Sequence, residues 1–203
     1  NSPYQLDVER GARLSEKGIR YLDAGTSGGV WGLDVGYCLM VGGDRSAYEH
    51  IEPLLATLAP PGHGYDYMGG HGSGHFVKMV HNGIEYGLMQ AYAEGFELLQ
   101  ATEWDLDLAA IADLWNQGSV VRSWLLELAA DAFEKDPGLE KISGYVEDTG
   151  EGRWTVEQAI AHAVPMPAIA SALFMRFRSR QPDTFSGKVL AALRNEFGGH
   201  AVK

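Results

Sequence analysis

Cysteine is almost absent from this chain of 203 residues. Cys38 stands alone, which excludes an intramolecular disulfide and any metal site built on several thiolates. A reducing compartment is the expected setting. Positive charge is scarce as well, with 16 Lys and Arg against 27 Asp and Glu and a formal net charge of −11. Broad binding to nucleic acid or to an anionic membrane needs a basic surface, so neither is expected as a partner. Any anionic ligand must meet a local basic cluster. No run approaches the roughly 18 uninterrupted apolar residues of a membrane span, and the N-terminus lacks the basic-then-apolar pattern of a secretory signal. The expectation is a soluble, cytoplasmic protein. What is present is ordinary for a folded chain: 45% hydrophobic, 10% aromatic and 21% charged residues suffice for one domain plus part of another, or one large domain.

Ser2-Pro3-Tyr4-Gln5 reads as a capping box with proline in the first helical position, which starts a helix near residue 3 that runs to Lys17-Gly18. Few intact proteins begin so abruptly. Residues 19–24 read as a strand ending in the turn Gly25-Thr26-Ser27-Gly28-Gly29, and 37–41 as a second strand closed by Gly42-Gly43. Ser46-Ala47-Tyr48-Glu49 is another capping box, opening a helix toward Leu58, and 65–68 form a last short strand. After Gly69-Gly70-His71-Gly72-Ser73-Gly74 the character changes. A nearly proline-free stretch from His75 to Gln100 carries helical periodicity, and helices follow over 107–116, 119–134, 156–163, 167–180 and 186–196. Thr155-Val156-Glu157-Gln158 is a capping box for the third of these, and Pro167 suits a helix start. The reading is therefore α/β over 1–70 and all-α over 71–203. Residues 136–154 form the longest irregular stretch, a length at which loops are often functional.

Four constellations carry chemistry. Gly25 to Gly29 formally matches a G-x-S-x-G nucleophile elbow after a strand, but an elbow leads straight into a helix, and 30–36 hold two glycines and β-branched residues. The same turn fits a loop whose backbone N–H groups and hydroxyl approach a ligand oxygen, or one that simply needs positive φ. His71 and His75, four apart, could ligate a metal from one helix face, yet Gly72 and Gly74 favour a polar turn. The third constellation is 72–86. At 100° per residue His81 falls about −60°, Asn82 about +40° and Glu85 about −20° from Lys78, so a base, an acid and two hydrogen-bonding groups share one face. Val77, Val80, Ile84 and Leu88 form an apolar seam beside it. A solvated charge stripe is the competing reading, against which stands the glycine-rich entrance, suited to backbone donors and anions. The fourth is Arg176, Arg178, Arg180 and Arg194, planar groups suited to phosphate or carboxylate as well as to structural ion pairs.

The run Lys78-Met79-Val80-His81-Asn82-Gly83-Ile84-Glu85-Tyr86-Gly87 resembles the signature of the decarboxylating 6-phosphogluconate dehydrogenases, and the likeness spans nearly the whole chain. Thr26-Ser27-Gly28-Gly29 is similar to the family's substrate loop. Asn1 resembles the asparagine near the nicotinamide, Arg176, twenty-two positions after Trp154, its phosphate-binding arginine, and Arg194 to His200 the tail that enters a partner subunit's site. Two departures stand out. Thr149-Gly150-Glu151-Gly152-Arg153-Trp154-Thr155 places Thr149 and Glu151 where longer members carry a phosphate-binding Lys and Thr, and the length of the helical domain points to the short-chain branch. No G-x-G-x-x-G fingerprint occurs, as though the first Rossmann βαβ units were missing.

The resemblance implies a mostly α chain: an all-α C-terminal dehydrogenase domain for substrate binding and dimerisation (71–203), preceded by the trailing α/β part of a Rossmann-like nucleotide-binding domain (1–70). It implies oxidative decarboxylation of 6-phosphogluconate to ribulose 5-phosphate and CO2 with NAD or NADP, a step of the pentose phosphate pathway and of gluconate utilisation. Lys78 and Glu85 would be catalytic; Ser27, Gly28, Gly29, His81, Asn82, Tyr86, Arg176, Arg194 and His200 would bind a sugar-acid phosphate; Asn1 would face the cofactor. No metal is expected, a homodimer or higher homo-oligomer is, and this chain by itself is expected to be inactive. The alternatives are a β-hydroxyacid dehydrogenase of the hydroxyisobutyrate type, which shares the Gly72 to Asn82 core but leaves His81 and Glu85 unexplained, and a non-catalytic helical oligomerisation module.

Overall fold

In the computed structural model, which describes residues 1–199 and 201, the chain is mostly helical and has one small sheet. It forms two compact units, one of Asn1–Leu88 with Thr149–Ala170 and one of Met89–Asp148 with Ser171–Lys203. His200 lies outside the described residues.

In the first unit, helix α1 (Tyr4–Ser15) precedes strands β1 (Leu22–Ser27), β2 (Cys38–Gly43) and β3 (Tyr65–Gly69). The sheet order is β1-β2-β3, antiparallel between β1 and β2 with Ser27 opposite Cys38, and parallel between β2 and β3. Between β1 and β2 come a 3-10 turn (Gly29–Trp31) and the short helix α2 (Gly32–Val35); α3 (Arg45–Leu58) links β2 to β3. Leu39, Val41, Tyr48 and Leu55 form a buried cluster between the sheet and α3, with Tyr37, Tyr65 and Tyr67 packed against it. Burying these side chains stabilises each by roughly 1.5–3 kcal/mol.

Helix α4 (Ser73–Gln100) starts against the sheet at a distance that only glycine permits. A Cβ on Gly74 would lie 2.3 Å from the carbonyl oxygen of Met40, and one on Gly25 would lie 2.3 Å from Cβ of Lys78. Asp23, buried in β1, accepts the backbone N–H groups of Gly72 (2.7 Å) and His75 (2.9 Å) and so satisfies two free donors at the helix start. Asp7 of α1, also buried, accepts from the Tyr21 hydroxyl (2.6 Å) and lies 2.7 Å from His75 Nδ1.

Several local expectations are corrected. The boxes at Ser2, Ser46 and Thr155 do not cap: α1 and α3 have no side-chain cap, and Glu49 pairs with Arg45 (3.0 Å) instead. Helix α7 (Glu151–Ala161) begins ahead of Thr155, whose hydroxyl lies 2.8 Å from the carbonyl oxygens of both Met79 and Glu151 and shares its one proton between them. The seam on α4 is also overturned, because Val77, Ile84 and Leu88 are exposed while Met79, Gly83 and Tyr86 are buried. The reason is the docking of α7: Gly83 meets Thr155 and Gly152 meets the Tyr86 ring, where a Cβ would come within 2.7 and 2.4 Å.

The second unit has its own core, with Phe96 of α4, Leu108 and Ala112 of α5 (Leu108–Asn116), and Leu126 and Phe133 of α6 (Trp124–Lys135). Asp107 and Ser123 cap α5 and α6 by accepting from the N–H groups of Ala110 and Leu126. Ser123 is why α6 starts later than residue 119. Helices α8 (Pro167–Ser179) and α9 (Phe185–Gly198) complete the described chain, the latter capped by Thr184 and stopped by Gly199 in the left-handed region.

Glycine-to-alanine exchange normally favours a helix by about 1 kcal/mol. Gly95→Ala, with open space around its Cβ, should show that gain in urea denaturation. Gly74→Ala should instead destabilise by about 2 kcal/mol, because the Met40 carbonyl is fixed in the sheet. Equal effects at the two positions would contradict the close approach of α4 to the sheet.

Candidate active site

The face of α4 predicted from helical spacing is assembled around a lysine held almost out of solvent. Lys78 is 5% exposed, wedged beside Gly25 of β1. Its Nζ donates to Asn82 Oδ1 at 2.7 Å, and His81 Nδ1 lies 3.3 Å from the same Nζ and 3.0 Å from the same oxygen. One acceptor therefore serves two nitrogens. When His81 carries its proton on Nδ1, that proton can go to Asn82 while Lys78 is an ammonium, or to the lone pair of Lys78 when the amine is neutral. Burial pushes the Lys78 pKa below the ordinary lysine range, and the carboxylates of Glu85 and Glu151 pull it partly back. This arrangement suits a group that must work in both protonation states.

The β1 turn closes on the same face. Ser27 Oγ lies 3.4 Å from His81 Nε2, and Gly28 and Gly29 take φ values of 128° and 54° that a side chain would oppose. A helix does follow this turn, contrary to the expectation for 30–36, but α2 has only four residues. The long Ser27 contact, together with an His81 Nδ1 turned to Asn82, lacks the geometry of an activated serine nucleophile. Glu85 sits one turn beyond His81, with Oε2 3.9 Å from His81 Nδ1 and its side chain 37% exposed, at the open edge of the cluster. Tyr86 is buried, its hydroxyl accepting from the N–H of Thr149 at 3.4 Å. Asn1 is pinned to β1 by paired bonds: its Oδ1 accepts from Thr26 N–H (3.0 Å) and its Nδ2 donates to the Thr26 carbonyl (3.2 Å).

Ser27, Lys78, His81, Asn82 and Glu85 thus come together in the first unit, while Tyr86 is turned to Thr149 and Gly152. The arginines lie in the second. Arg176 donates to the Glu147 carbonyl (2.9 Å) and to the Met89 sulfur (3.6 Å), Arg180 pairs with Asp148 (2.8 Å), and Arg194 is exposed on α9. His71 and His75 do not form a metal pair, since His71 lies 3.4 Å from Asp44 while His75 faces Asp7. Asp7, Asp23 and His75 are close enough to share an ion, but both carboxylates already accept protein donors, Tyr21 and His75 on Asp7 and two amides on Asp23. Two residues of this region escape the spacing argument. Asp23 sets the start of α4, and Glu151 is a buried carboxylate whose charge acts on Lys78.

Both parts of the chain match known proteins. Residues 1–69 match the family model of the NAD binding domain of 6-phosphogluconate dehydrogenase, and 74–192 that of the 6-phosphogluconate dehydrogenase C-terminal domain. YqeC of Bacillus subtilis (strain 168) is 53% identical over 203 residues, all of this chain and 68% of the relative. A 6-phosphogluconate dehydrogenase, NAD(+)-dependent, decarboxylating, of Haloferax volcanii is 47% identical over 203 residues, again all of this chain and 67% of the relative. Among solved structures, Plasmodium falciparum 6-phosphogluconate dehydrogenase, studied in its apo form, with NADP+ and with 6-phosphogluconate, superposes with a TM-score of 0.80 at 28% identity. That match covers 98% of this chain and 44% of the other.

The lowered Lys78 pKa has a measurable consequence. Between the folded and unfolded values the unfolded chain binds more protons, so Lys78 makes stability rise with pH across that window. Lys78→Met should flatten this rise. In a 13Cε lysine NMR titration Lys78 should lose its proton below the ordinary lysine range, and Asn82→Ala should lower the midpoint further by removing an acceptor that favours the ammonium. An ordinary lysine midpoint in the native protein would contradict the burial argument.

Proposed function

The chain belongs to the 6-phosphogluconate dehydrogenase family, and on that premise we propose that it carries the substrate-binding and catalytic part of an NAD(P)-dependent, decarboxylating 6-phosphogluconate dehydrogenase. The reaction would turn 6-phosphogluconate into ribulose 5-phosphate and CO2. The observation that carries this reading is the buried Lys78 bonded to Asn82, with Glu85 on the same helix face and the Ser27 turn closing on His81.

The residues present fit the nicotinamide end of the cofactor, since Asn1 is anchored to β1 one residue before Ser27. No glycine-rich fingerprint occurs in the sequence, so pyrophosphate binding is assigned to no residue of this chain. NAD(P), when bound, would supply the acceptor for the hydride of the substrate's C3. Lys78, as the neutral amine that burial makes accessible, takes the proton of the C3 hydroxyl. As the ammonium it then donates to the new carbonyl oxygen and stabilises the charge that gathers there when CO2 leaves. Glu85 delivers a proton to C1 of the resulting enediol. His81 and Asn82 hold the Lys78 amine in place, and Ser27 with the Gly28-Gly29 turn orients the sugar hydroxyls. Arg176 would hold the phosphate, joined by Arg194 and His200 from a second subunit.

A homodimer is part of this reading. The turns of α9 expose Phe185, Val189, Leu193 and Phe197 four residues apart, and no residue of that helix is buried among the described residues. Such a stripe fits another copy of the chain better than water. A hydroxyisobutyrate-type β-hydroxyacid dehydrogenase would not need His81 and Glu85, and an oligomerisation module would not need a buried lysine.

In the holoenzyme Lys78→Met should lower kcat by about 10²–10⁴-fold, whereas Arg194→Ala should mainly raise KM for 6-phosphogluconate. Mixing the two variants should restore activity, since one site of each heterodimer then holds both groups. Unchanged turnover in Lys78→Met, or no rescue between subunits shown to have exchanged, would contradict the mechanism or the shared site respectively.

A further inference from the structure

Each turnover of the reaction proposed above leaves a proton on the wrong side chain. The C3 hydrogen departs with its electron pair as hydride, and the proton of the C3 hydroxyl goes to the Lys78 amine. The bond from C2 to the carboxyl carbon then breaks and CO2 leaves. The electron pair of that bond ends in a new C–H bond on the carbon left behind, C1 of the product, whose proton comes from Glu85. The product neither carries off the proton that Lys78 took nor returns the one that Glu85 gave. Lys78 therefore ends as an ammonium and Glu85 as a carboxylate. A second turnover needs one proton moved from the first to the second.

The surroundings of Lys78 leave one way out for that proton. At 5% exposure the amine has little access to water, and among the described residues the hydrogen-bond partners of Nζ are Asn82 Oδ1 at 2.7 Å and His81 Nδ1 at 3.3 Å. An amide oxygen accepts a hydrogen bond but does not take the proton, whereas an imidazole gains and loses one near neutral pH. The same Nδ1 lies 3.9 Å from Glu85 Oε2, and among the described residues no ion pair joins Lys78 directly to Glu85. Spacings of three and four residues along α4 set His81 between the other two. The side chains of His81 and Glu85 are 38% and 37% exposed, so a small rotation closes the remaining gap. On the far side of the ring, Nε2 faces Ser27 Oγ at 3.4 Å, which can accept the Nε2 proton and so leave the Nδ1 lone pair open to Lys78. Burial acts in the same direction, because it disfavours the ammonium that must be discharged.

Resting on the dehydrogenase reading, we propose that His81 is the proton relay that resets the site between turnovers. Nδ1 of the neutral imidazole takes a proton from the Lys78 ammonium, and the imidazolium so formed gives it to the Glu85 carboxylate. Amine, neutral imidazole and carboxylic acid are restored, and only N–H and O–H bonds change. This task differs from holding the amine in place, which Asn82 shares and which needs no titrating group.

The test is stopped-flow measurement of NAD(P)H formation from 6-phosphogluconate by the holoenzyme and two variants, each shown by thermal melting to be folded. His81→Gln retains an amide that can hydrogen-bond but cannot carry a proton, and His81→Ala leaves room for added imidazole. In His81→Gln the first NAD(P)H per site should form in a burst, followed by a steady state about 10²-fold slower than that burst. In His81→Ala added imidazole should raise the steady-state rate without raising the rate of the first turnover. First and later turnovers slowed alike in His81→Gln, or no response of His81→Ala to imidazole, would overturn the relay and leave the dehydrogenase reading standing. A native holoenzyme that forms no NAD(P)H from 6-phosphogluconate would overturn both.

Discussion

The site depends on how closely the start of α4 lies against the sheet. Asp23 in β1 takes the two free amides at the helix start, and Gly25 and Gly74 leave no side chain in the gap. Both halves of the site are fixed by that contact: β1 runs on four residues from Asp23 to Ser27, and α4 runs three residues from His75 to Lys78. A shift of one residue in either element would turn Lys78 or Ser27 away from the other. Burial of Lys78 follows from the same approach, so its altered acidity is a consequence of backbone packing more than of any single charged neighbour.

A second contact, between α7 and α4, decides what else lines the site. Gly83 and Gly152 remove bulk where the helices meet, and the Thr155 hydroxyl bonds a carbonyl of the facing helix. This places Glu151 where its charge acts on Lys78 and makes Met79 and Tyr86 the buried side of α4. Val77, Ile84 and Leu88 are left exposed as a result.

The polar face of α4 is legible in the sequence because helical periodicity alone places Lys78, His81, Asn82 and Glu85 together, and the α/β then all-α order follows from glycine-rich punctuation. The start of α7 is not legible. Thr149-Gly150-Glu151-Gly152 has the propensity of a loop, and only its contacts with Tyr86 and Met79 make it helical. The capping boxes mislead for a related reason: Ser46 is outcompeted by Arg45-Glu49, and Thr155 finds a better partner on another helix. Asp23 leaves no sequence signal, since its role exists only once β1 and α4 have met. The roles proposed for Arg176 and Arg194 come from the resemblance to the family alone, because those residues lie on other helices that periodicity does not connect to α4.

The central claim is that the sugar acid lies between the Ser27 turn and the Lys78 face of α4, with the amine on the hydroxyl that is oxidised. A crystal structure with 6-phosphogluconate bound addresses it directly. The account predicts the C3 hydroxyl within about 3 Å of Lys78 Nζ and the carboxyl end toward Ser27. A sugar acid seated away from Lys78, with the amine still held only by Asn82 and His81, would contradict it.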